Sequence, residues 1–236
     1  MRAEALTHTG LVRTDNEDAY IVDLDLGLLA VADGMGGHLA GEVASFLALK
    51  ALSERLKEGD GREPLARLVE AVRFANAIVY RSSCSTPEYR GMGTTLTVAW
   101  IVGGEAFIAH VGDSRAYLFR NGDLEALTQD HSYVGELVRS GDLTREEARL
   151  HPQRNLLTRA LGTEAEVEVD SRTVPLQKGD VLLLCTDGLP EVVREEEITA
   201  VLSGRQDLRE ILEALLQMAL DRGGPDNITV VLAAYE

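Results

Sequence analysis

The sequence predicts an α+β fold with largely antiparallel sheets. Two helical patterns lie among the early strand signals, a third precedes the last strand, and hairpin signals fill the middle of the chain. A doubly wound parallel sheet would instead require regular alternation of strands and helices. Because no internal repeat or linker-like stretch interrupts the pattern, residues 1–236 are expected to form one continuous domain.

The first elements are a buried strand and two helices. The strand is predicted over residues 28–32, an apolar run that ends at the tight turn Asp33-Gly34. Apolar residues recur at helical spacing from 41 to about 56, and more clearly from 65 to 79. Pro64 lies near the start of the second helix, where its missing N–H does no harm.

Strand signals dominate the second half of the chain. Residues 94–102 are rich in β-branched side chains and are predicted to form a strand. A turn is predicted at Gly103-Gly104 and a second, antiparallel strand over 106–111. The polar stretch 131–156 indicates a small helical excursion from the sheet. Further strands are predicted at 116–119, 167–174, 181–186 and 228–234, with a hairpin turn at Asn121-Gly122 and an amphipathic helix over 208–219.

Composition and charge exclude several classes of partner. The 45% of hydrophobic and 26% of charged residues are typical of a soluble globular protein, and the formal net charge of -16 argues against binding to nucleic acid or an anionic membrane. No apolar run approaches a membrane span or a signal-peptide core, so a cytoplasmic location is expected, although a cytoplasmic domain cut from a larger receptor would look the same. Cys84 and Cys185 are expected to be free thiols.

Four aspartates stand at the ends of predicted apolar strands. These residues are Asp33, Asp113, Asp187 and Asp226. If the strand ends converge, the carboxylates repel one another unless protons or cations intervene, and oxygen-only ligands select Mg²⁺, Mn²⁺ or Ca²⁺ over zinc. Glycines beside two of them allow the backbone to approach a ligand closely. Any single Asp-Gly could equally be an ordinary turn.

The segment 13–18 adds an arginine and further acids before the first predicted strand. The planar guanidinium of Arg13 suits two phosphate oxygens, and Glu17 and Asp18 could hold metal-bound waters. On its own this segment could be a polar loop. Beside a carboxylate cluster, it indicates phosphoryl chemistry.

The chain resembles the metal-dependent protein phosphatase family (PPM, type 2C) in its compact bacterial form. The matching motifs occur in family order and cover essentially the whole chain. They are Gly10-Leu11-Val12-Arg13 with Asn16-Glu17-Asp18, Asp33-Gly34-Met35-Gly36-Gly37-His38, Gly91-Met92-Gly93-Thr94-Thr95, His110-Val111-Gly112-Asp113-Ser114-Arg115, Leu127-Thr128-Gln129-Asp130-His131-Ser132, Leu157-Thr158-Arg159-Ala160-Leu161-Gly162, Thr186-Asp187-Gly188-Leu189 and Asp226-Asn227-Ile228-Thr229.

The resemblance implies a four-layer α-β-β-α sandwich with two Mn²⁺ or Mg²⁺ ions, and in some bacterial members a third, at one edge of the sheets. Asp33 would bridge two ions, the Gly34 carbonyl would bind one, and Asp187 and Asp226 would hold the other. A third ion would involve Asp113 and Asp187. Asn227 is expected to support these ligands, and residues 132–156 match the family's variable flap beside the site.

The implied reaction is hydrolysis of phosphoserine and phosphothreonine on proteins. A water between the ions would lose its proton and attack phosphorus in line, while Arg13 binds the phosphate. Many eukaryotic relatives have a histidine as proton donor where this chain has Met35, whose thioether cannot donate. His38 is a candidate substitute or a substrate contact, a metal-bound water is an equal alternative, and the acid stays unassigned.

Several alternative interpretations fit the sequence less well. Cys84 and Arg90 satisfy a Cys-x₅-Arg spacing, but Pro87 removes a donor and Glu88 adds negative charge, which argues against a cysteine phosphatase. Residues 23–34 fail the calcium-loop pattern, because Gly34 stands where that loop needs its closing glutamate. The scattered histidines lack metal-ligand spacing. A catalytically inactive module on the same fold remains the rival from another class.

The resemblance also implies partners. Phosphorylated proteins are the expected substrates, including a Ser/Thr kinase of the bacterial type, with regulators of sigma-factor pathways as a second class. The protein is expected to act as a monomer without nucleic acid or membrane. The sequence does not decide between Mn²⁺ and Mg²⁺.

Overall fold

The computed structural model describes residues 1–36, 39–59, 61–204 and 207–236. These residues form two antiparallel sheets that pack face to face, each with a pair of helices on its outer side. The α+β class and the α-β-β-α layering expected from the sequence are therefore confirmed. His38 lies outside the described residues.

The first sheet has the strand order β1-β11-β10-β7-β8. Its strands are β1 (Arg2–His8), β7 (Arg115–Arg120), β8 (Asp123–Ala126), β10 (Val181–Cys185) and β11 (Ile228–Ala234). The second sheet has the order β2-β3-β5-β6-β9, and a short strand β4 pairs with the end of β3. Its strands are β2 (Asp18–Asp23), β3 (Leu28–Met35), β4 (Gly93–Thr94), β5 (Leu96–Val102), β6 (Glu105–Val111) and β9 (Asp170–Pro175).

The long helices cover the outer faces of the sheets. Helices α1 (Leu39–Lys57) and α2 (Pro64–Ser85) pack on the second sheet, and α5 (Glu195–Gly204) and α6 (Leu208–Asp221) pack on the first. Two short helices, α3 (Tyr133–Ser140) and α4 (Arg145–Leu150), lie within the excursion predicted for residues 131–156. A Thr144–Glu147 capping box starts α4 and stabilises its first turn.

Central strands are buried on both faces, and their sequences are therefore continuous runs of apolar residues. Along β3, Leu28 and Ala30 face the helices while Leu29 and Val31 face the other sheet. Along β10, Leu183 faces α5 and α6, and its neighbours enter the layer between the sheets. Such strands show no alternation of polar and apolar residues, so their apolar runs are their clearest sequence signal.

Several element predictions need correction. The strand predicted at 167–174 is β9 and begins three residues later, at Asp170. The sequence prediction missed β1 and β2, which lie at sheet edges and are only half-buried, and it missed α5, whose first turn is Glu195-Glu196-Glu197. Two helices therefore precede the last strand instead of one.

Both cysteines are free, as expected, with Cys84 exposed and Cys185 buried. In the parts of the chain that the structure describes, none of the helices combines the length and the apolar character that a membrane span needs.

Candidate metal centre

The ends of β3 and β10, the start of β11 and the loop between β6 and β7 meet at one edge of the sandwich. They surround a cleft of about 340 Å³. The sequence-predicted site residues that line it are Arg13, Glu17, Asp33, Gly34, Asp113, Asp187, Asp226 and Asn227. The structure thus brings together all of the candidate metal ligands.

Crowding and burial raise the pKa values of the clustered carboxyls. Burial, followed by the neighbouring charges of Asp18, Asp187 and Asp113, raises the pKa of Asp33 well above its ordinary value. Burial and the charge of Asp226 raise the pKa of Asp187 to about 6. These shifts mean that the carboxylates together are poorly stabilised by the protein alone.

The residues fit hard divalent cations. Two carboxylate oxygens, Asp18 Oδ1 and Asp187 Oδ1, are buried without a hydrogen-bond partner among the described residues, and such atoms are costly to leave unpaired. No three acidic, histidine or cysteine side chains in the described parts of the chain stand close enough to define a metal site by distance alone. The fit therefore rests on the orphaned oxygens and on a donor set made only of oxygen, which suits Mn²⁺ or Mg²⁺.

Asp18 lies behind the cleft and does not line it. It is the cross-strand neighbour of Asp33, and its Oδ2 accepts a hydrogen bond from the Thr186 hydroxyl at 2.8 Å. Burial raises the pKa of Asp18 to about 7. The same role was predicted from the sequence for Glu17 and Asp18, whereas only Glu17 lines the cleft in the structure.

Glu17 and Asn227 tie the N-terminal loop to the last strand. The buried Asn227 accepts from the Glu17 N–H at 2.8 Å and donates to the carbonyls of Thr9 and Asp15, each at 2.9 Å. Burial raises the pKa of the Glu17 carboxyl, which lies against Gly41. Asn227 therefore holds the loop that carries Arg13 and Glu17 beside the cluster.

Arg13 lies at the mouth of the cleft. Its Nη2 lies 2.6 Å from Asp226 Oδ2, yet half of the side chain (51%) is exposed. Among the described residues that line the cleft, it is the one with a positive charge. It is thus placed to meet an anion that enters from solvent.

The structure gives Gly34 a steric role. An added Cβ would lie 2.1 Å from the Gly41 carbonyl oxygen and 2.7 Å from the Glu17 carbonyl oxygen. Both obstacles are backbone atoms, so neither can move aside by changing rotamer. The absence of a side chain at this position lets α1 and the N-terminal loop close around the end of β3.

Gly34→Ala is expected to lower the free energy of unfolding by about 1–3 kcal/mol, the usual cost of overpacking. Urea unfolding in the presence of a chelator measures this without a contribution from metal. Gly59→Ala is the matched control, because no atom lies within 4 Å of its added Cβ. Equal stability of the two variants would contradict the steric explanation.

Several cleft residues were not assigned a role from the sequence. Asn155, near the end of the helical segment 131–156, and Leu157, just after that segment, both line the cleft. Thr95 lies at the floor of the cleft. Arg154 of the same helical segment forms an ion pair with Glu191, in which Arg154 Nε lies 2.8 Å from Glu191 Oε1. No spacing rule marks these residues, since each reaches the cleft only through the tertiary fold.

Among the described residues, His110, His131 and Cys84 do not line the cleft. His110 is buried between Thr97 and the Gln129 carbonyl, and burial lowers its pKa to about 4, so the ring is neutral. His131 Nδ1 accepts from the Gly112 N–H. Cys84 is exposed near the end of α2 and does not line the cleft, which argues against the Cys-x₅-Arg reading.

Comparison with known proteins identifies a matching family and a similar protein from that class. The profile of the family described as protein phosphatase 2C matches residues 5–233. The serine/threonine phosphatase stp of Listeria monocytogenes serotype 4b is 42% identical over 239 residues, which span 98% of this chain and 95% of that protein.

Solved structures agree with these relatives. The crystal structure of the serine/threonine phosphatase Stp1 from Staphylococcus aureus matches with a TM-score of 0.93 at 38% identity, covering 99% of this chain and 94% of that chain. The catalytic domain of PstP, crystallised in complex with two manganese ions, matches with a TM-score of 0.90 at 42% identity, covering 99% of this chain and 97% of that chain.

Proposed function

The chain belongs to the protein phosphatase 2C family, and from this premise we propose that it hydrolyses phosphoserine and phosphothreonine on proteins with Mn²⁺ or Mg²⁺. The observation that carries the proposal is the cleft in which four strand-end aspartates meet under one half-exposed arginine. A cluster of carboxylates alone would only store cations. The arginine at its mouth adds a partner for phosphate.

The proposed ligands are the residues at the strand ends. Asp33 and the Gly34 carbonyl would hold ions at the end of β3, and Asp187 and Asp226 would hold an ion from the first sheet. Asp113 would join Asp187 around a third ion. When bound, the ions supply an activated water and neutralise the charge that develops on the phosphoryl group. Glu17, Asp18 and Asn227 would fix waters and the N-terminal loop around these ligands.

Arg13 binds and orients the phosphate in this proposal. Its guanidinium has several N–H donors, one of which contacts Asp226, and its exposure leaves the others open to an incoming phosphoryl group. Its fixed fork would hold two phosphate oxygens and direct the ester oxygen toward solvent. Water or His38 would protonate the departing seryl or threonyl oxygen, because Met35 lines the cleft but has no proton to give.

Arg13→Ala is expected to reduce kcat/KM for a phosphothreonine peptide about 10²-fold, the scale for losing one charged group that stabilises a transition state. Arg13→Lys should recover only part of this, because lysine keeps the charge but loses the planar fork. Arg2→Ala removes another exposed ion pair, with Glu236 at 2.6 Å, and should have no effect. An Arg13→Ala enzyme with wild-type kcat/KM would exclude the proposed role.

The experiment that tests the function is hydrolysis of phosphoserine and phosphothreonine peptides with and without Mn²⁺. Turnover should require the ion, stop on addition of a chelator and return when Mn²⁺ is restored. A phosphotyrosine peptide tests selectivity for the amino acid. Binding of Mn²⁺ without turnover of any peptide would favour the rival reading, an inactive regulatory module.

We also propose the setting in which the enzyme works. Residues 1–236 would act as one catalytic domain, with 132–156 as a flap subdomain, and as a cytoplasmic monomer. Its substrates would include a Ser/Thr kinase of the bacterial type, and regulators of sigma-factor pathways form a second class. The bacterial Ser/Thr phosphatases among its relatives support this setting. Comparing phosphoproteomes with and without the enzyme would identify the substrates.

A further inference from the structure

The backbone of Asp33 is held by two threonines of the neighbouring strand segment. The Asp33 N–H donates to Thr95 Oγ1 at 2.9 Å. The Asp33 carbonyl accepts from the Thr94 hydroxyl and from the Thr95 N–H, also at 2.9 Å each. Because Thr95 is only 2% exposed, bulk water cannot take over its hydrogen bond. These contacts fix the peptide from which the Asp33 carboxylate projects.

The same hydroxyl reaches the loop that carries Asp113. Thr95 Oγ1 lies 2.7 Å from Ser114 Oγ, and Ser114 is completely buried. On the other side of Asp113, a Cβ added to Gly112 would lie 2.6 Å from side-chain carbons of Thr95. Gly112 has a φ of +111°, so a side chain would be strained there even without this contact. Thr95 therefore touches the loop before and after Asp113.

This contact spans the two sheets. Thr95 lies between β4 and β5 of the second sheet. Ser114 lies where the chain leaves β6 of the second sheet and enters β7 of the first. The hydroxyl pair thus connects the sheets at the floor of the cleft, where the carboxylates of Asp33 and Asp113 would otherwise move apart under mutual repulsion.

We propose that the Thr95–Ser114 hydroxyl pair is a positioning element that fixes the separation of Asp33 and Asp113 and thereby sets the affinity of the centre for Mn²⁺. The inference rests on the proposed function for the identity of the ion. Each hydroxyl acts through the backbone that presents a ligand and not on the substrate. Supporting groups of this kind typically change metal affinity about 10–100-fold when they are removed.

Calorimetric titration with Mn²⁺ at fixed pH tests the proposal without relying on turnover. Ser114→Ala removes the hydroxyl contact with Thr95, while the Thr97 hydroxyl bond to the Ser114 carbonyl and the Thr95–Asp33 bond remain, so it should weaken Mn²⁺ binding about 10-fold or more. Thr95→Val removes the hydroxyl at nearly constant shape and should weaken binding at least as much. Thr95→Ser keeps the hydroxyl and should restore affinity close to that of the wild type.

Ser83→Ala is the matched control for loss of a buried hydroxyl. Ser83 is 7% exposed and bonds to the Tyr80 carbonyl at 2.9 Å, away from the cleft. The Ser83→Ala variant should have the same Kd for Mn²⁺ as the wild type even if its stability is lower. The double variant Thr95→Val/Ser114→Ala should be less impaired than the sum of the single changes in binding free energy, because both remove the same bond.

Unchanged Mn²⁺ affinity in a folded Ser114→Ala protein would overturn the proposal, as would an equal loss in Ser83→Ala. If Thr95→Val does not fold, Ser114→Ala and Thr95→Ser still decide the question. Failure of the proposed function would look different: the wild-type chain would bind Mn²⁺ but hydrolyse no phosphopeptide.

Discussion

Asp33→Asn is expected to reduce kcat on a phosphothreonine peptide by about 10³-fold or more, above the loss for a single stabilising donor. Burial and the charges of three neighbouring aspartates raise the pKa of Asp33, which shows that its carboxyl lies within the cluster. The amide of asparagine keeps the shape of the side chain but supplies no negative charge to hold a cation. Steady-state kinetics over a range of Mn²⁺ concentrations measures the loss.

The same substitution is expected to stabilise the metal-free protein by on the order of 1 kcal/mol near neutral pH, because it removes a buried carboxyl that must either stay charged beside its neighbours or take up a proton on folding. Loss of activity together with gain of stability separates a ligand role from general damage to the fold. Asp25→Asn, an exposed position in the turn between β2 and β3, should change neither quantity. An Asp33→Asn enzyme that is inactive because it is unfolded would contradict this prediction.

Burial explains which elements could be predicted from the sequence. The strands β3 and β10 are central in their sheets and buried on both faces, so they appear as apolar runs, and the aspartates at their ends stand out. The strands β1 and β2 lie at sheet edges, where half-exposed side chains blur the pattern. The helix α5 begins with three glutamates and buries only three side chains, Ile198, Val201 and Leu202.

The surroundings of the site could not be predicted in the same way. Asn227 bonds to Glu17 across 210 positions of sequence, and Thr95 meets Ser114 across 19. Each contact depends on the order of strands in the two sheets, which periodicity does not reveal. Likewise, the adjacent Glu17 and Asp18 have equivalent chemistry in sequence, but strand geometry turns one toward the cleft and the other behind it.

With a chelator present, the protein is expected to lose stability as the pH rises from about 5 to about 7, by on the order of 2 kcal/mol. In the folded protein the pKa values of Asp187 and Asp18 are raised to about 6 and about 7, from 3.8. In this window these two carboxyls bind more protons in the folded state than in the unfolded state, and together they outweigh buried His110, whose lowered pKa of about 4 acts in the opposite direction. Proton loss as the pH rises leaves buried charges that disfavour the fold.

Urea unfolding at several pH values, with and without Mn²⁺, measures the effect. Carboxyls whose pKa is lowered by ion pairs, such as Glu197 at about 2, stay ionised throughout this window and do not contribute.

Added Mn²⁺ should reverse the dependence of stability on pH, because the cation binds the deprotonated carboxylates and releases their protons. Asp187→Asn should flatten the slope measured with chelator. A wild-type protein whose stability in chelator is constant or rises over this range would show that the cluster is already neutralised within the fold.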